Sequence, residues 1–448
     1  MIKRILQSIK GDRLLKQGLV DTNYYLLAQV GSRVIGLLII PIFARLLTLE
    51  EFATYDLFIL ASSFIVLLGG LGMDSGAAIK IAENKDDTVA LHSLLFTTLF
   101  VSLLSIVFLW LVAIGTWYLG FATNDFNPYL IHGLFIYTIL YQFNYLVYNF
   151  IRWLGNAKIA ALINFTSYIL GIVGGLVCML IWKSTLANYI LGAIVGSTAG
   201  VLLSAYYARS YLALRFLPAD HFKDLLRLSL PYVPTYLSSY FMQFVDRLLI
   251  TSFFGLSTLG LYALVNRIGQ VVTFTLQIIS SGFRPIITVN YATEEGQGLS
   301  RKIFTGYWLA TVPVSIISVL MSPLIINIFG GDKYQMAIPV LPYIILSVWL
   351  LGSFFLFGFG YQIKRKTIYV TLITFMVVVL IYVLSLVFIR TSGMIGIAQA
   401  TTLAAALGAF LYVYISERLY SFKYSMKLMM LSIFISILIL VLFDRWQS

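Results

Sequence analysis

The sequence is short of charge. Asp, Glu, Lys and Arg make up only 11% of its 448 residues, against 60% hydrophobic ones. With a mean hydropathy of +0.93, so little polar surface cannot cover a domain in water, and a soluble protein is excluded. A second cysteine is also missing, so the single Cys178 can form no disulfide within the chain. Its place inside an apolar run reads as a buried, inert thiol. Long outside loops are absent too. No segment assigned below to the outside greatly exceeds about ten residues, which leaves little room for an extracytoplasmic active site.

What fills the chain instead is a series of apolar runs of about 17 to 27 residues separated by short polar loops. That period matches the roughly 20 residues a helix needs to cross ~30 Å of hydrocarbon, whereas transmembrane strands would be half as long and alternating. Thirteen spans are predicted, at 24–46, 54–73, 92–119, 129–151, 158–182, 188–208, 229–254, 258–283, 303–329, 338–361, 367–389, 394–416 and 427–443. With the N-terminus inside, cytoplasmic segments hold 22 Lys and Arg and outside segments hold five. This is a strong positive-inside bias, and one missed or invented span would invert every later loop and destroy it. The net charge of +12 is thereby explained by topology, and no nucleic-acid partner is expected. The first twenty residues carry Ile2, Ile5, Leu6 and Ile9 on one face and cations opposite, which predicts a short interfacial helix. They lack the uninterrupted apolar core and small-residue cleavage site of a signal peptide.

The chain is built twice. LLTLEEFATYDL at 46–57 and FFGLSTLGLYAL at 253–264 align without gaps at an offset of 207, matching Leu49 with Leu256, Tyr55 with Tyr262 and Leu57 with Leu264. The offset spans six helices, an even number, so both halves enter the membrane in the same direction. This is a parallel repeat about an axis along the membrane normal. The predicted fold is therefore an all-α integral membrane protein with two parallel-repeat six-helix bundles around a central cavity, plus one additional C-terminal transmembrane helix peripheral to the repeat. The predicted division is 1–22 as a cytoplasmic or interfacial segment, 23–208 as the first lobe, 209–228 as a cytoplasmic linker, 229–417 as the second lobe, and 418–448 as a loop and thirteenth helix. The linker contains Asp220, His221 and Asp224 without zinc-ligand spacing, so it reads as solvated, and no metal or other cofactor is expected.

Three cations remain unassigned to loops: Arg33, Arg247 and Arg267 lie inside apolar spans. An ionised side chain at membrane depth costs roughly 2.5–3.5 kcal/mol on insertion scales and normally faces a wet cavity or a partner. Arg33 lies about nine residues from the inner end of its span and Arg267 about nine from the outer end of its own, hence ~14 Å deep at 1.5 Å per residue. Two readings are open. The arginines line a cavity for an anionic substrate, since arginine stays charged and grips phosphate bidentately, or they lock helices together as buried ion pairs. Asp246 adjoins Arg247, but neighbouring helix positions diverge by ~100°, so the two need not pair. Asp56 begins the second span on the outside and Asp74 ends it on the inside. Asp246 is the acid clearly within a helix, a candidate either for coupling to H+ or Na+ or for charge compensation. Tyr137, Tyr141, Tyr145 and Tyr148 fall on one face of the fourth span, with Gln142, Asn144 and Asn149 beside them. They form either a packing stripe or a polar-aromatic wall on which sugar rings could stack. Pro41, Pro231, Pro234, Pro313, Pro323, Pro339 and Pro342 can kink or end helices, as a rocking transporter requires.

PIFARLLTLEEFATYDL followed by GLGMDSGAAIK resembles the first two helices of bacterial Wzx-type polysaccharide flippases, a branch of the multidrug/oligosaccharidyl-lipid/polysaccharide exporter superfamily. DRLLITSFFGLSTLGLYAL resembles the start of that family's second lobe, and SGMIGIAQATT the beginning of its twelfth helix; together the resemblance covers residues 20–417. It implies two six-helix bundles that move an undecaprenyl-diphosphate-linked oligosaccharide to the outer leaflet of the bacterial plasma membrane by alternating access. It also implies a cationic lumen, drive from H+, Na+ or the membrane potential, and partnership with polysaccharide polymerase and chain-length machinery. Asp246 and Arg247 match the family's Asp-Arg pair, and Asp74 the acid of its second-helix motif. Lys80 stands where an arginine is more usual, and an ammonium lacks the bidentate fork. Arg33 and Arg267 rest on depth alone. Two alternatives stand beside this reading. A cation or drug exporter of the same superfamily should expose lumenal acids, whereas the first span here carries Arg33 and no mid-span carboxylate. A membrane polysaccharide polymerase or glycosyltransferase would need the outside loop that is missing.

Overall fold

The computed structural model describes residues 13–84, 87–118, 128–366 and 368–447, which are helical almost throughout and contain no strand. In chain order the helices are α1 Arg13–Leu46, α2 Leu49–Gly70, α3 Met73–Glu83, α4 Thr88–Tyr118, α5 Pro128–Trp153, α6 Ala157–Ile181, α7 Leu186–Ala208, α8 Ala219–Ser229, α9 Val233–Asn290, α10 Glu294–Phe329, α11 Val340–Leu356, α12 Phe359–Ile363, α13 Ile368–Leu419 and α14 Met426–Gln447. Ten helical stretches among the described residues are long and apolar enough to cross a membrane. Two of them hold a break, because Gly255 (φ 80°) and Gly393 (φ 59°) adopt backbone conformations that an L side chain resists. Each therefore contributes two of the thirteen predicted spans, and the first predicted span lies on α1.

One expectation falls largely outside the described residues and one needs revision. The interfacial helix was placed on residues of which 1–12 lie outside the described range, and from Arg13 onward the chain is already in α1, unbroken to Leu46. The linker at 209–228 is not merely solvated. Its second half is α8, with Leu225 and Ser229 buried, and it packs on α3, where a Cβ on Gly76 would stand 2.1 Å from the Ser229 hydroxyl. Eleven residues are too few to span a bilayer, so neither α3 nor α8 registers as an apolar run.

The helices form two compact units, Met1–Leu38 with Leu57–Tyr236, and Ile39–Asp56 with Leu237–Ser448. The predicted lobes divide at the linker, whereas here the turn between α1 and α2 belongs to the second unit. In the first unit the closest packing joins α6 and α7. Gly192, Gly196 and Gly200 recur every four residues, and Cβ atoms on the first two would stand 2.1 Å from Gly174 O and 1.9 Å from Leu170 O. Small residues at this spacing let helix backbones meet where lipid offers no hydrophobic drive for association. Cys178 borders the same seam.

In the second unit α14 lies at the edge, as expected, with only 22% of its apolar stretch buried, and specific bonds hold it there. Asp444 accepts hydrogen bonds from Tyr343 Oη (2.6 Å) and Gln399 Nε2 (2.7 Å), and Met429, Ser436 and Leu440 are fully buried. The loop before it is organised by Glu417, which accepts from the backbone N–H groups of Phe422 (2.9 Å) and Lys423 (2.7 Å). It places Tyr424 in a stack on Phe304 with centroids 4.4 Å apart. Asp444→Ala strands a tyrosine and an amide donor, and is expected to cost about 2 kcal/mol. A lower melting temperature of the detergent-solubilised protein, restored by Asp444→Asn only in part, is the expected reading.

Candidate functional site

The site residues read from the sequence fall into two groups, one in each unit. The second unit's group is built on the turn between α1 and α2. Thr48 and Glu51 form a reciprocal capping box, Thr48 N–H donating to Glu51 Oε2 and Glu51 N–H to Thr48 Oγ1, both at 3.1 Å, so that α2 starts sharply at Leu49. The preceding carbonyls at the end of α1 are held by cations, as helix C-termini favour. Lys333 Nζ donates to Leu47 O at 2.6 Å, and Arg45 donates across to Ile328 O at 3.1 Å. Burial lowers the pKa of Lys333, with Glu51 opposing that shift.

The two repeated turns meet each other here. Ser257 Oγ donates to Glu50 Oε1 at 2.9 Å, and these positions are 207 apart, the offset of the sequence repeat. Equivalent positions touch only near the axis that relates them, so the contact supports the repeat as a physical symmetry of the two turns. Gly260 allows the approach: its Cβ would lie 2.2 Å from Leu49 O. Gly260→Val should therefore separate the turns and lower the melting temperature by several degrees, whereas valine at Gly282, which has open space around it, should not.

Asp56, on the second turn of α2, is 3% exposed and bridges two of the three membrane arginines. Its Oδ2 accepts from Arg247 Nε at 2.8 Å and its Oδ1 from an Arg267 terminal nitrogen at 3.1 Å. Arg247 also donates to Gln243 O, one turn earlier on its own helix. The Arg267 guanidinium lies over the Tyr55 ring, 4.7 Å from its centroid. Asp246 faces elsewhere, as a 100° step requires, and accepts from Tyr262 Oη (2.7 Å) and Thr401 Oγ1 (3.2 Å). Two carboxylates and two guanidiniums thus sit together in apolar surroundings, and the paired charges compensate one another.

The first unit's group is an aromatic ladder on α5. Tyr137 and Tyr141 stack with centroids 6.3 Å apart and planes 22° from parallel, and Tyr141 and Tyr145 repeat this at 6.4 Å and 12°. Phe58 extends the ladder beyond Tyr137 at 5.5 Å. At the other end Tyr145 Oη donates to Asp74 Oδ2 at 2.9 Å, and the adjacent Ser75 shares a 2.6 Å hydrogen bond with Tyr236. Tyr141 is 44% exposed, and the same unit carries the exposed Arg33 of α1. Tyr148 leaves the ladder: it is buried beneath Arg152, whose guanidinium carbon is 5.5 Å from its centroid. The amides beside the stripe also face the bundle interior. Gln142 is fully buried and Asn144 accepts from Ser204, since a residue one step from an exposed tyrosine is turned by about 100°.

So the structure gathers Arg247, Arg267, Asp56 and Asp246 in one unit, and Arg33, Tyr137, Tyr141, Tyr145 and Asp74 in the other. Sequence reasoning missed Tyr262, Thr401, Gln243 and Tyr55 as partners. The Tyr55–Tyr262 identity in the repeat was the one available signal. Among the described residues no three His, Cys, Asp or Glu side chains gather as a metal-ligand set.

Comparison with known proteins places these groups in a family. The description "Polysaccharide biosynthesis protein" matches residues 19–281, a stretch that holds every candidate residue above, and the MatE description matches residues 231–388. No curated protein matches. Among solved structures, an inward-facing multidrug resistance MATE family transporter of the MOP superfamily is similar with 18% identity and a TM-score of 0.69, over 88% of this chain and 94% of that one. The lipid II flippase MurJ in an inward closed conformation is similar with 17% identity and the same TM-score, over 94% and 97%. An outward-facing MATE transporter follows at 18% identity and a TM-score of 0.61, over 90% and 96%. At such identities the likeness concerns the fold, while the family match spans more than half of the sequence. The chain is a multi-pass membrane protein of the polysaccharide biosynthesis family, with the transporter fold of the multidrug/oligosaccharidyl-lipid/polysaccharide exporter superfamily.

Proposed function

We propose that the protein is a flippase that moves an undecaprenyl-diphosphate-linked oligosaccharide from the cytoplasmic to the outer leaflet of a bacterial plasma membrane by alternating access, with its N-terminus inside. The observation that carries this reading is the exposed Tyr141 at the centre of a stacked tyrosine ladder, in the unit that also carries the exposed Arg33. Aromatic faces suit sugar rings, Asp74 and the phenols suit their hydroxyls, and a guanidinium suits the diphosphate. The polyprenyl tail stays in lipid, and the product passes to the polymerase and chain-length machinery. No covalent chemistry is needed. An inside-negative potential assists outward movement of an anion, by ~2.3 kcal/mol per charge per 100 mV if it crosses the whole field. Asp246, buried between two hydroxyl donors, is the acid best placed to couple transport to H+ or Na+.

The superfamily's drug exporters offer the second reading. Cationic drugs would be repelled by Arg33, so export of surface polysaccharide and efflux of cationic dyes are opposing readouts. Tyr137→Ala with Tyr141→Ala should lower polysaccharide export about tenfold, equivalent to ~1.4 kcal/mol, at unchanged membrane levels. The paired phenylalanine substitutions, which keep the stacking faces, should retain most of it. Dye efflux lost in the alanine pair while polysaccharide export persists would instead favour the drug exporter.

A further inference from the structure

Asp56 stands where a phosphate would. It presents one oxygen to Arg247 and the other to Arg267, the two-pronged geometry with which guanidinium pairs hold phosphoryl oxygens. It is also carried on the capped turn that begins at Thr48 and is tied down by Lys333 and Ser257. We propose that Asp56 is a built-in surrogate for the substrate's diphosphate: it occupies the Arg247–Arg267 pair in the empty protein, and the diphosphate of the lipid-linked substrate displaces it. The inference rests on the flippase reading and deepens it, by naming the subsite for the diphosphate and the residue that guards it.

The physical argument runs through competition. A carboxylate held on the same chain acts at an effective concentration on the order of millimolar or more, so weak free anions do not enter. A diphosphate brings two charges and more acceptor oxygens than a carboxylate, and can replace both contacts at once. Because Arg247 is 5% exposed and the Arg267 side chain 14%, the ligand reaches the pair only when the turn carrying Asp56 lifts. Binding and release of that turn are thereby one event. Asp246 does not take the place of Asp56, since its own contacts go to Tyr262 and Thr401.

The test is equilibrium binding of farnesyl diphosphate to the full chain in nanodiscs, with farnesol as the neutral control. Asp56→Asn and Asp56→Ser, which remove the internal competitor, should bind the diphosphate about tenfold more tightly than the unaltered protein. Asp56→Glu, which keeps the anion, should not. A second measurement leaves Asp56 in place: Glu50→Cys with Ser257→Cys, on a Cys178→Ser background, is bridged by a short thiol-reactive crosslinker, and bridging should abolish diphosphate binding. If the unaltered protein binds farnesyl diphosphate over farnesol, but the asparagine and serine proteins bind it equally or more weakly, the surrogate role is overturned and the flippase reading stands. Binding undiminished by the bridge overturns it as well, and decides the matter alone if the Asp56 variants do not fold. If none of the proteins prefers the diphosphate, both readings fall.

Discussion

Asp56→Leu is expected to destabilise the protein by about 3–5 kcal/mol, the usual cost of leaving buried charge without its partner. Arg247→Met is expected to cost less. The asymmetry follows from the bridge: Asp56 serves two arginines, so its loss strands two guanidiniums, whereas loss of Arg247 leaves a complete Asp56–Arg267 pair. Combining Asp56→Leu with Arg247→Met and Arg267→Met replaces the bridge by apolar groups while Asp246 keeps its Tyr262 and Thr401 donors, and should recover part of the stability lost in Asp56→Leu alone. Thermal unfolding of the four detergent-solubilised proteins reads out the order directly. Equal losses for Asp56→Leu and Arg247→Met would show that the bridge does not carry the stability assigned to it.

Arg33→Ala should behave in the opposite way, stable but unable to export. Arg33 is exposed on α1, so its removal should leave the melting temperature within a few degrees. Its role in the proposed mechanism is to attract the anionic substrate, whose diphosphate then settles on the Arg247–Arg267 pair, and losing one guanidinium from a charged contact costs about 2–5 kcal/mol. Export of surface polysaccharide should fall at least tenfold at normal membrane levels. Arg33→Lys should retain part of the activity, because an ammonium keeps the charge and loses the fork. Full export by Arg33→Ala would remove this residue from the substrate path.

Hydropathy carried the number and length of the spans, because bilayer thickness acts on each span separately. The breaks at Gly255 and Gly393 and the turn at 46–49 were legible for the same reason. What hydropathy cannot carry is lateral packing. Asp56 and Arg247 are 191 residues apart, and nothing along the chain says which helices lie side by side. Depth arithmetic also treated Arg267 as a point at its Cα. Its long side chain leans toward the N-terminus of its helix, back toward Gly255, where it reaches a carboxylate only two turns into α2. The helices α3 and α8 escaped notice because short amphipathic segments resemble solvated loops in composition, and their burial becomes visible only as Gly76 against Ser229. The tyrosine stripe was legible as a face, and the inward turn of Gln142 followed from helical geometry that spacing alone did not resolve.

The central claim is that this chain carries a diphosphate-linked glycan across the bilayer. Its most direct test is reconstitution of the purified protein into proteoliposomes loaded with an undecaprenyl-diphosphate oligosaccharide on both leaflets, followed by an impermeant reagent that oxidises only sugars exposed outside. The account predicts that the inner pool becomes reactive with the unaltered protein, and stays protected with Arg33→Ala and in protein-free vesicles. Continued protection of the inner pool with correctly folded, unaltered protein, under an imposed inside-negative potential and with H+ and Na+ gradients supplied, would contradict it.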